Sequence, residues 1–258
     1  VWKYDRSRIR APKHRIKEWD YYLVVGDDCA VAFTLSDDGY VGLQSVSLLD
    51  FSGEPWEHTE AILDAFPMGK LRMPENSSEG DIIYEKKNLR LKYVLENSAS
   101  ESADTAEEEH NEKITKPAIR IRHITCQFDN FYQGKSFSCD IRLRQPDMDT
   151  MVIATPWEKK GRFYYNQKIN CMRAEGYAEY DGKRYEFQPD RHFGTLDWGR
   201  GVWTYDNTWY WGSGNCDVNG HAFGFNIGYG FGNTKAASEN VIFYDGIAHK
   251  IDDVEFVI

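Results

Sequence analysis

SFSCDIRLR, Ser136 to Arg144, is the stretch whose reading decides the fold. Phe137, Cys139, Ile141 and Leu143 alternate with Ser138, Asp140, Arg142 and Arg144, a period of two that only an extended strand with one buried face satisfies. Working outward, LRLKYVL repeats the pattern through Leu89, Leu91, Tyr93 and Leu95, and CAVAFTL repeats it through Val31, Phe33 and Leu35. Between such runs stand turn signals: Gly26-Asp27-Asp28, Asp37-Asp38-Gly39, Asp181-Gly182, Asn219-Gly220 and Asp245-Gly246. Asn-Gly and Asp-Gly supply the positive φ angles of tight hairpins. Sustained helical periodicity is nearly absent, the best candidate being HTEAILDAF around Ala61, for which one or two turns are expected. The fold class is therefore all-β, an antiparallel barrel or sandwich.

Composition narrows the possibilities. A chain of 258 residues can bury a large core without staples. Its five cysteines, Cys29, Cys126, Cys139, Cys171 and Cys216, are odd in number and widely spaced, which argues against a disulfide framework and a structural zinc site and fits a cytoplasmic protein. No apolar run reaches the roughly 18 residues of a membrane span, and the first residues lack the apolar centre of a signal peptide. A monomer is expected.

The net charge of −10 is concentrated in one place. Glu96, Glu101, Asp104, Glu107, Glu108, Glu109 and Glu112 fall together with no Lys or Arg between Glu96 and Glu112, so removing these seven leaves −3. Residues 97–113 read as a flexible acidic loop between two strands. A nearly balanced remainder without a dominant basic stripe argues against nucleic acid, whose binding runs on phosphate neutralisation.

The chain divides by composition into two halves. Residues 1–145 carry ordinary amphipathic strands, and residues 146–258 concentrate aromatics, Asn, Gly and carboxylates. From Trp157 to Phe231 there are five Trp, eight Tyr and six Phe in 75 residues. The first half reads as scaffold and the second as site. Its densest run sets Trp198, Trp203, Trp209 and Trp211 around Asp197, Arg200 and Asp206. A carboxyl among indoles loses hydration of its charged form and becomes a proton donor nearer neutrality, whereas pairing with Arg200 would oppose that. Asp197 is thus the first catalytic candidate and Glu239 the second. Trp198, Arg200, Trp203, Trp211, Asn166, Lys168, Tyr229 and Asn240 are the candidate binding residues. In a barrel Asn166 and Lys168 share a face while Gln167 points away. The glycine-rich GYGFG, Gly228 to Gly232, lacks the parallel strand and helix of a dinucleotide loop and reads as a place where the sheet bends or a neighbouring backbone approaches closely. No histidine spacing, nucleophile elbow or phosphate loop marks a metal or cofactor, and none is expected.

Several long runs carry a family resemblance: RIKEWDYY (Arg15 to Tyr22), DDGY (Asp37 to Tyr40), FYYNQKINCMRAEG (Phe163 to Gly176), FGTLDWGRGVWTYDNTWYWGSG (Phe193 to Gly214), FGFNIGYGFG (Phe223 to Gly232) and ASENVIFYDGIAHKI (Ala237 to Ile251). In these the chain resembles the bacterial proteins called domain of unknown function 2804, which bring no assigned activity. More distantly it is similar to lipocalin-like proteins that include carotenoid 1,2-hydratase (hydroxyneurosporene synthase) and tocopherol cyclase. That likeness implies paired β-barrel or sandwich domains and protonation of isoprenoid double bonds, an implication at the level of fold alone.

The functional expectation is a small-molecule ligand, hydrophobic or amphipathic, held in the second half and open to hydration, isomerisation or cyclisation. A carbohydrate-directed protein is the first alternative. A structural or interaction protein with solidly packed aromatics is the second.

Overall fold

The computed structural model describes residues 3–97, 119–235 and 237–257, so the acidic loop expected at 97–113 lies outside the described residues apart from Asn97. Among the described residues all regular structure is antiparallel strand, with two 3-10 turns at Arg6–Arg8 and Lys13–Arg15. The strands are β1 (Lys17–Val25), β2 (Cys29–Asp37), β3 (Val41–Asp50), β4 (Trp56–Ala65), β5 (Ile82–Lys86), β6 (Leu89–Asn97), β7 (Arg120–Tyr132), β8 (Lys135–Arg144), β9 (Met151–Pro156), β10 (Phe163–Tyr180), β11 (Lys183–Phe187), β12 (Phe193–Val202), β13 (Tyr210–Val218), β14 (His221–Tyr229), β15 (Val241–Tyr244) and β16 (Ile247–Lys250).

Two hairpin meanders, β1 to β4 and β5 to β8, are joined through β12 and β10 into one sheet in the order β4-β3-β2-β1-β12-β10-β8-β7-β6-β5, with β9 and β11 also on β10. The sheet curls over a single core. Tyr22 of β1 meets Tyr93 of β6 with ring centroids 4.7 Å apart, Phe33 of β2 meets Phe137 of β8, and His58 of β4 meets Phe131 of β7. The alternation that decided the fold holds residue by residue, Phe137, Cys139, Ile141 and Leu143 being buried between more open neighbours. A second sheet, β13-β14-β15-β16, packs against β10 and β12. The large sheet thus takes strands from both sides of residue 145, and the second sheet begins at Tyr210.

The turns fall where the sequence puts them. Asp181-Gly182, Asn219-Gly220 and Asp245-Gly246 each have positive φ at both residues, the geometry a two-residue hairpin requires. The helical turn expected around Ala61 is not formed. HTEAILDAF contributes to β4, paired with β3 along its length, with Ile62 buried and Leu63 exposed on opposite faces. Pairing with a neighbouring strand outweighs the weak preference of so short a segment.

Strand β10 is the longest at 18 residues and changes partners midway. Phe163 to Lys168 lie between β12 and β9, whereas Arg173 to Tyr180 lie beside β8. A bulge between Ile169 and Met172, with Cys171 at φ 58°, inserts one extra residue. Alternation consequently reverses: Ile169 faces the core before the bulge, and Met172, Ala174 and Ala178 face it afterwards. Tyr164, Asn166 and Lys168 are left on the opposite face, toward the second sheet.

All five cysteines are free, Cys216 being the exposed one. No helix among the described residues is long and apolar enough to cross a membrane.

Candidate functional site

Between the face of β10 and β12 that carries Lys168 and the second sheet lies a cavity of about 300 Å³. Trp19, Tyr164, Trp203, Trp209, Trp211 and Phe231 wall it, and Lys168, Asp197, Glu239 and Asp38 bring ionisable groups to it. Five of these rings form a continuous contact: Trp19 stacks on Tyr164 at 5.5 Å, and Phe231 touches Tyr164, Trp203 and Trp209 at 4.6, 5.1 and 4.9 Å. Such close fitting depends on Gly199, where a Cβ would lie 1.9 Å from the Trp19 ring. That spacing leaves room for no other residue.

Lys168 stands at the centre of the charged group, its side chain only 1% exposed. Cross-strand register sets it directly opposite Asp197, and the two form an ion pair. From the second sheet's side Glu239 brings Oε2 to 3.6 Å from Lys168 Nζ. The ammonium donates to the Tyr164 hydroxyl at 3.2 Å and lies 5.3 Å from the Trp211 ring centroid, within reach of a cation–π attraction. A lysine buried so deeply is tolerable only with partners of this kind.

Supporting contacts hold the Glu239 carboxylate. Trp211 Nε1 donates to Asn226 Oδ1 at 2.7 Å, and Asn226 Nδ2 donates to the Glu239 carbonyl at 2.9 Å and to its Oε2 at 3.2 Å. Gly228 lets Glu239 lie flat against β14, since a Cβ there would sit 2.5 Å from Cδ of Glu239. The close backbone approach read from GYGFG is made further along the run, where a Cβ on Gly230 or Gly232 would lie 2.1 Å from the Thr208 carbonyl oxygen or 2.8 Å from that of Pro156. Burial raises the Tyr164 phenol well above its usual value, with Asp197 and Glu239 adding to the effect. Tyr21, Cα partner of Asp197, is pushed up to about 12 by burial and by that same carboxylate. Burial also raises the Asp38 carboxyl, against the opposing charge of Lys17 and a hydrogen bond from Ser36.

The residues singled out from the sequence divide into three groups. Asp197, Glu239, Lys168, Trp203 and Trp211 converge on the cavity. Trp198 and Arg200 point through the sheet to its other face: Trp198 joins the main core, and Arg200, fully buried, pairs with Asp20 at 2.9 Å and donates to the carbonyls of Trp19, Gly199 and Pro74. Asp197 therefore meets a lysine rather than Arg200. Positions 197 and 200 of one strand have opposite parity, so alternation forbids their sharing a face. Outside the cavity wall, Tyr229 is 58% exposed, and Asn240 accepts a hydrogen bond from the Gly228 N–H at 2.9 Å. Asn166 shares the face of Lys168 as expected, fully buried, with neither amide atom hydrogen-bonded among the described residues. Gln167 points away, bonding Ser77 and Thr150.

Trp19, Tyr164, Phe231 and Asp38 join the site without having been singled out by the sequence. Trp19 and Tyr21 alternate with the buried Glu18, Asp20 and Tyr22, so EWDYY holds a signal for two occupied faces of β1. Asp38 reads locally as turn chemistry, and only the tertiary fold turns it toward the rings.

One other cluster among the described residues brings metal-ligating atoms together. Asp28, Cys29 and His192 have one ligand atom each within 4.8 Å of one another, at the opposite ends of β1 and β2 from the cavity. Residues so far apart in sequence escape any spacing rule.

Fold and site together define an all-β, antiparallel protein of barrel-like sheet plus covering sheet, with a lysine–dicarboxylate cluster in an aromatic hollow. By the model of its family, which matches residues 1–258, the chain belongs to the domain of unknown function family DUF2804. Among curated proteins no match is found. Among solved structures it is similar to kievitone hydratase from Nectria haematococca, at 9% identity and TM-score 0.48, covering 95% of this chain and 68% of that one. It is also similar to CghA, at 8% identity and TM-score 0.44, covering 96% and 65%. These likenesses concern the course of the strands only.

Proposed function

We propose that this protein binds a hydrophobic or amphipathic small molecule in the aromatic cavity and performs cofactor-free acid–base chemistry on it, of the hydration, isomerisation or cyclisation type. The observation that carries the reading is the hollow itself: six aromatic side chains around about 300 Å³, with four ionisable side chains reaching it. An apolar pocket with a few converging polar groups is the usual form of a small-molecule site. Asp38 is the proton donor in this reading, because burial favours its neutral form. Lys168, Asp197 and Glu239 form a fixed charge cluster that orients the ligand, and Trp203, Trp209 and Trp211 face positive charge developing on it.

The carbohydrate reading has less support. Lys168 Nζ sits between Asp197 and Glu239, in the space a glycosidic bond would need if these two acids were to flank it. A purely structural role predicts interlocked rings without a void, and the void bordered by both acids counts against it.

Native mass spectrometry of protein purified from its own host tests the reading. A retained small molecule is expected, lost when Leu43→Trp fills the cavity. A folded protein that never carries a ligand under these conditions, and whose Trp fluorescence ignores apolar probes, would remove the proposal. With a ligand in hand, turnover should fall in Asp38→Asn and also in Asp197→Asn.

A further inference from the structure

A second hollow of about 890 Å³ adjoins the aromatic one. We propose that it holds the anionic head group of an amphipathic ligand whose apolar part occupies the cavity, an inference that rests on the cavity being a binding site. Arg15, Lys159, Arg162 and Lys235 line this cleft, against Glu158 and Asp206. Among the described residues none of these six charges has an opposite charge within 4 Å, although ion pairs are frequent elsewhere on the molecule. A fourfold cationic lining facing two acids is a local exception on a chain of net charge −10, and such a patch concentrates anions against the general field.

The two arginines are incompletely used. Arg15 is buried, its guanidinium 3.6 Å above the Tyr205 ring and donating to the Trp203 carbonyl, yet its Nε has no acceptor. Arg162 Nε is likewise buried without one. A buried donor left unpaired is costly, and a carboxylate or phosphate is the acceptor that guanidinium geometry matches best.

Neighbouring residues of the same segments border the two hollows. Thr204, Thr208, Gly230 and Gly232 line the cleft, while their chain neighbours Trp203, Trp209 and Phe231 line the cavity. Phe231 is held between glycines at φ 96° and 74°. It meets Tyr164 of the cavity at 4.6 Å and Trp157 of the cleft at 6.4 Å. A ligand with a charged end and an apolar end lying across this shared boundary would have each end in matching surroundings. Carboxylate and phosphate monoester share the required chemistry.

Intrinsic tryptophan fluorescence, titrated with decanoate, decyl phosphate, decanol and inorganic phosphate, tests this. Either or both of the decyl anions should bind at least tenfold tighter than decanol and lose that advantage as sodium chloride is raised; the tighter of the two identifies the head group. In Lys159→Gln/Arg162→Gln the anions should weaken at least tenfold with decanol unchanged, the far-ultraviolet circular dichroism confirming the fold. Equal affinity for anions and decanol in the parent protein, or an equal loss for all probes in the variant, would overturn the inference while leaving the cavity reading intact. Binding of inorganic phosphate alone would also overturn it. Failure of decanol and both anions together would remove the cavity reading and this inference with it.

Discussion

Lys168 and Asp197 are Cα partners across β10 and β12, and their charged ends meet beneath the rings of Tyr164 and Trp211. The pair is completed by Glu239 from the covering side, so one buried cation serves two carboxylates.

Removing that cation should be costly. Lys168→Met leaves two acids facing each other without compensation, and a loss of about 3–5 kcal/mol of unfolding free energy is expected. Denaturant melts measure it. Adding Asp197→Asn and Glu239→Gln should restore most of the stability; no restoration would mean that Lys168 acts through packing.

Asp38 offers a test with the opposite charge arithmetic. Burial raises its carboxyl above the ordinary range, so the folded chain binds this proton more tightly than the unfolded one. Its contribution to stability is therefore most favourable below the unfolded value and is lost as pH rises through the folded value. Asp38→Asn should flatten that part of the stability profile and, in the proposed reaction, slow turnover by about 10²–10⁴-fold, the usual range for a lost general acid. Unchanged turnover would reassign the donor.

At Gly228 the contact with Glu239 leaves no room for a methyl group. Gly228→Ala should destabilise by about 1–3 kcal/mol, as overpacking of a closed site does, and should weaken ligand retention by moving Glu239 off Lys168. Gly220→Ala, at a hairpin turn where a Cβ meets nothing within 4 Å, separates this effect from general loss of glycine, since its cost is confined to backbone strain.

Asp50 ties β3 to β11 far from the cavity. Burial alone would raise its carboxyl, but hydrogen bonds from Lys183 Nζ, from the hydroxyl and N–H of Ser52 and from Tyr185 outweigh it and hold it well below the usual range. Its stabilisation is thus present above the unfolded value and disappears as pH falls through the folded one. Asp50→Asn should lower stability at neutral pH by about 2 kcal/mol, the scale of charge-assisted hydrogen bonds, and narrow the difference from the parent protein in acid melts.

Residues 98–118 connect β6 and β7, which already pair at Asn97 and Arg120. Replacing the connection by a short Gly-containing turn should change stability by about 1 kcal/mol or less, since closure entropy varies slowly with length. A large drop in melting temperature would mean that the acidic segment packs on the body.

Local signals in the sequence carry further than long-range ones. Alternation in SFSCDIRLR and the Asp-Gly and Asn-Gly turns depend on neighbours in the chain, and each is realised in the fold. Asp197 and Glu239 both line the cavity, but the partner of Asp197 depends on the register between β10 and β12, which no local pattern encodes. Trp198 and Arg200 group with Asp197 only when aromatic density is followed along the chain, while a strand sorts its residues by parity. The helix expected around Ala61 fails for a related reason, since the apolar residues of an edge strand can also satisfy a helical spacing.

The extra residue at the β10 bulge acts as a phase slip in the longest strand. Upstream of Cys171 the even-numbered side chains belong to chemistry, and downstream they belong to scaffolding. Deleting Cys171 would put both segments in one frame, driving either Lys168 into hydrocarbon or Ala174 and Ala178 out of it. Point substitutions around the cavity can be absorbed one contact at a time; a change of length at this position cannot.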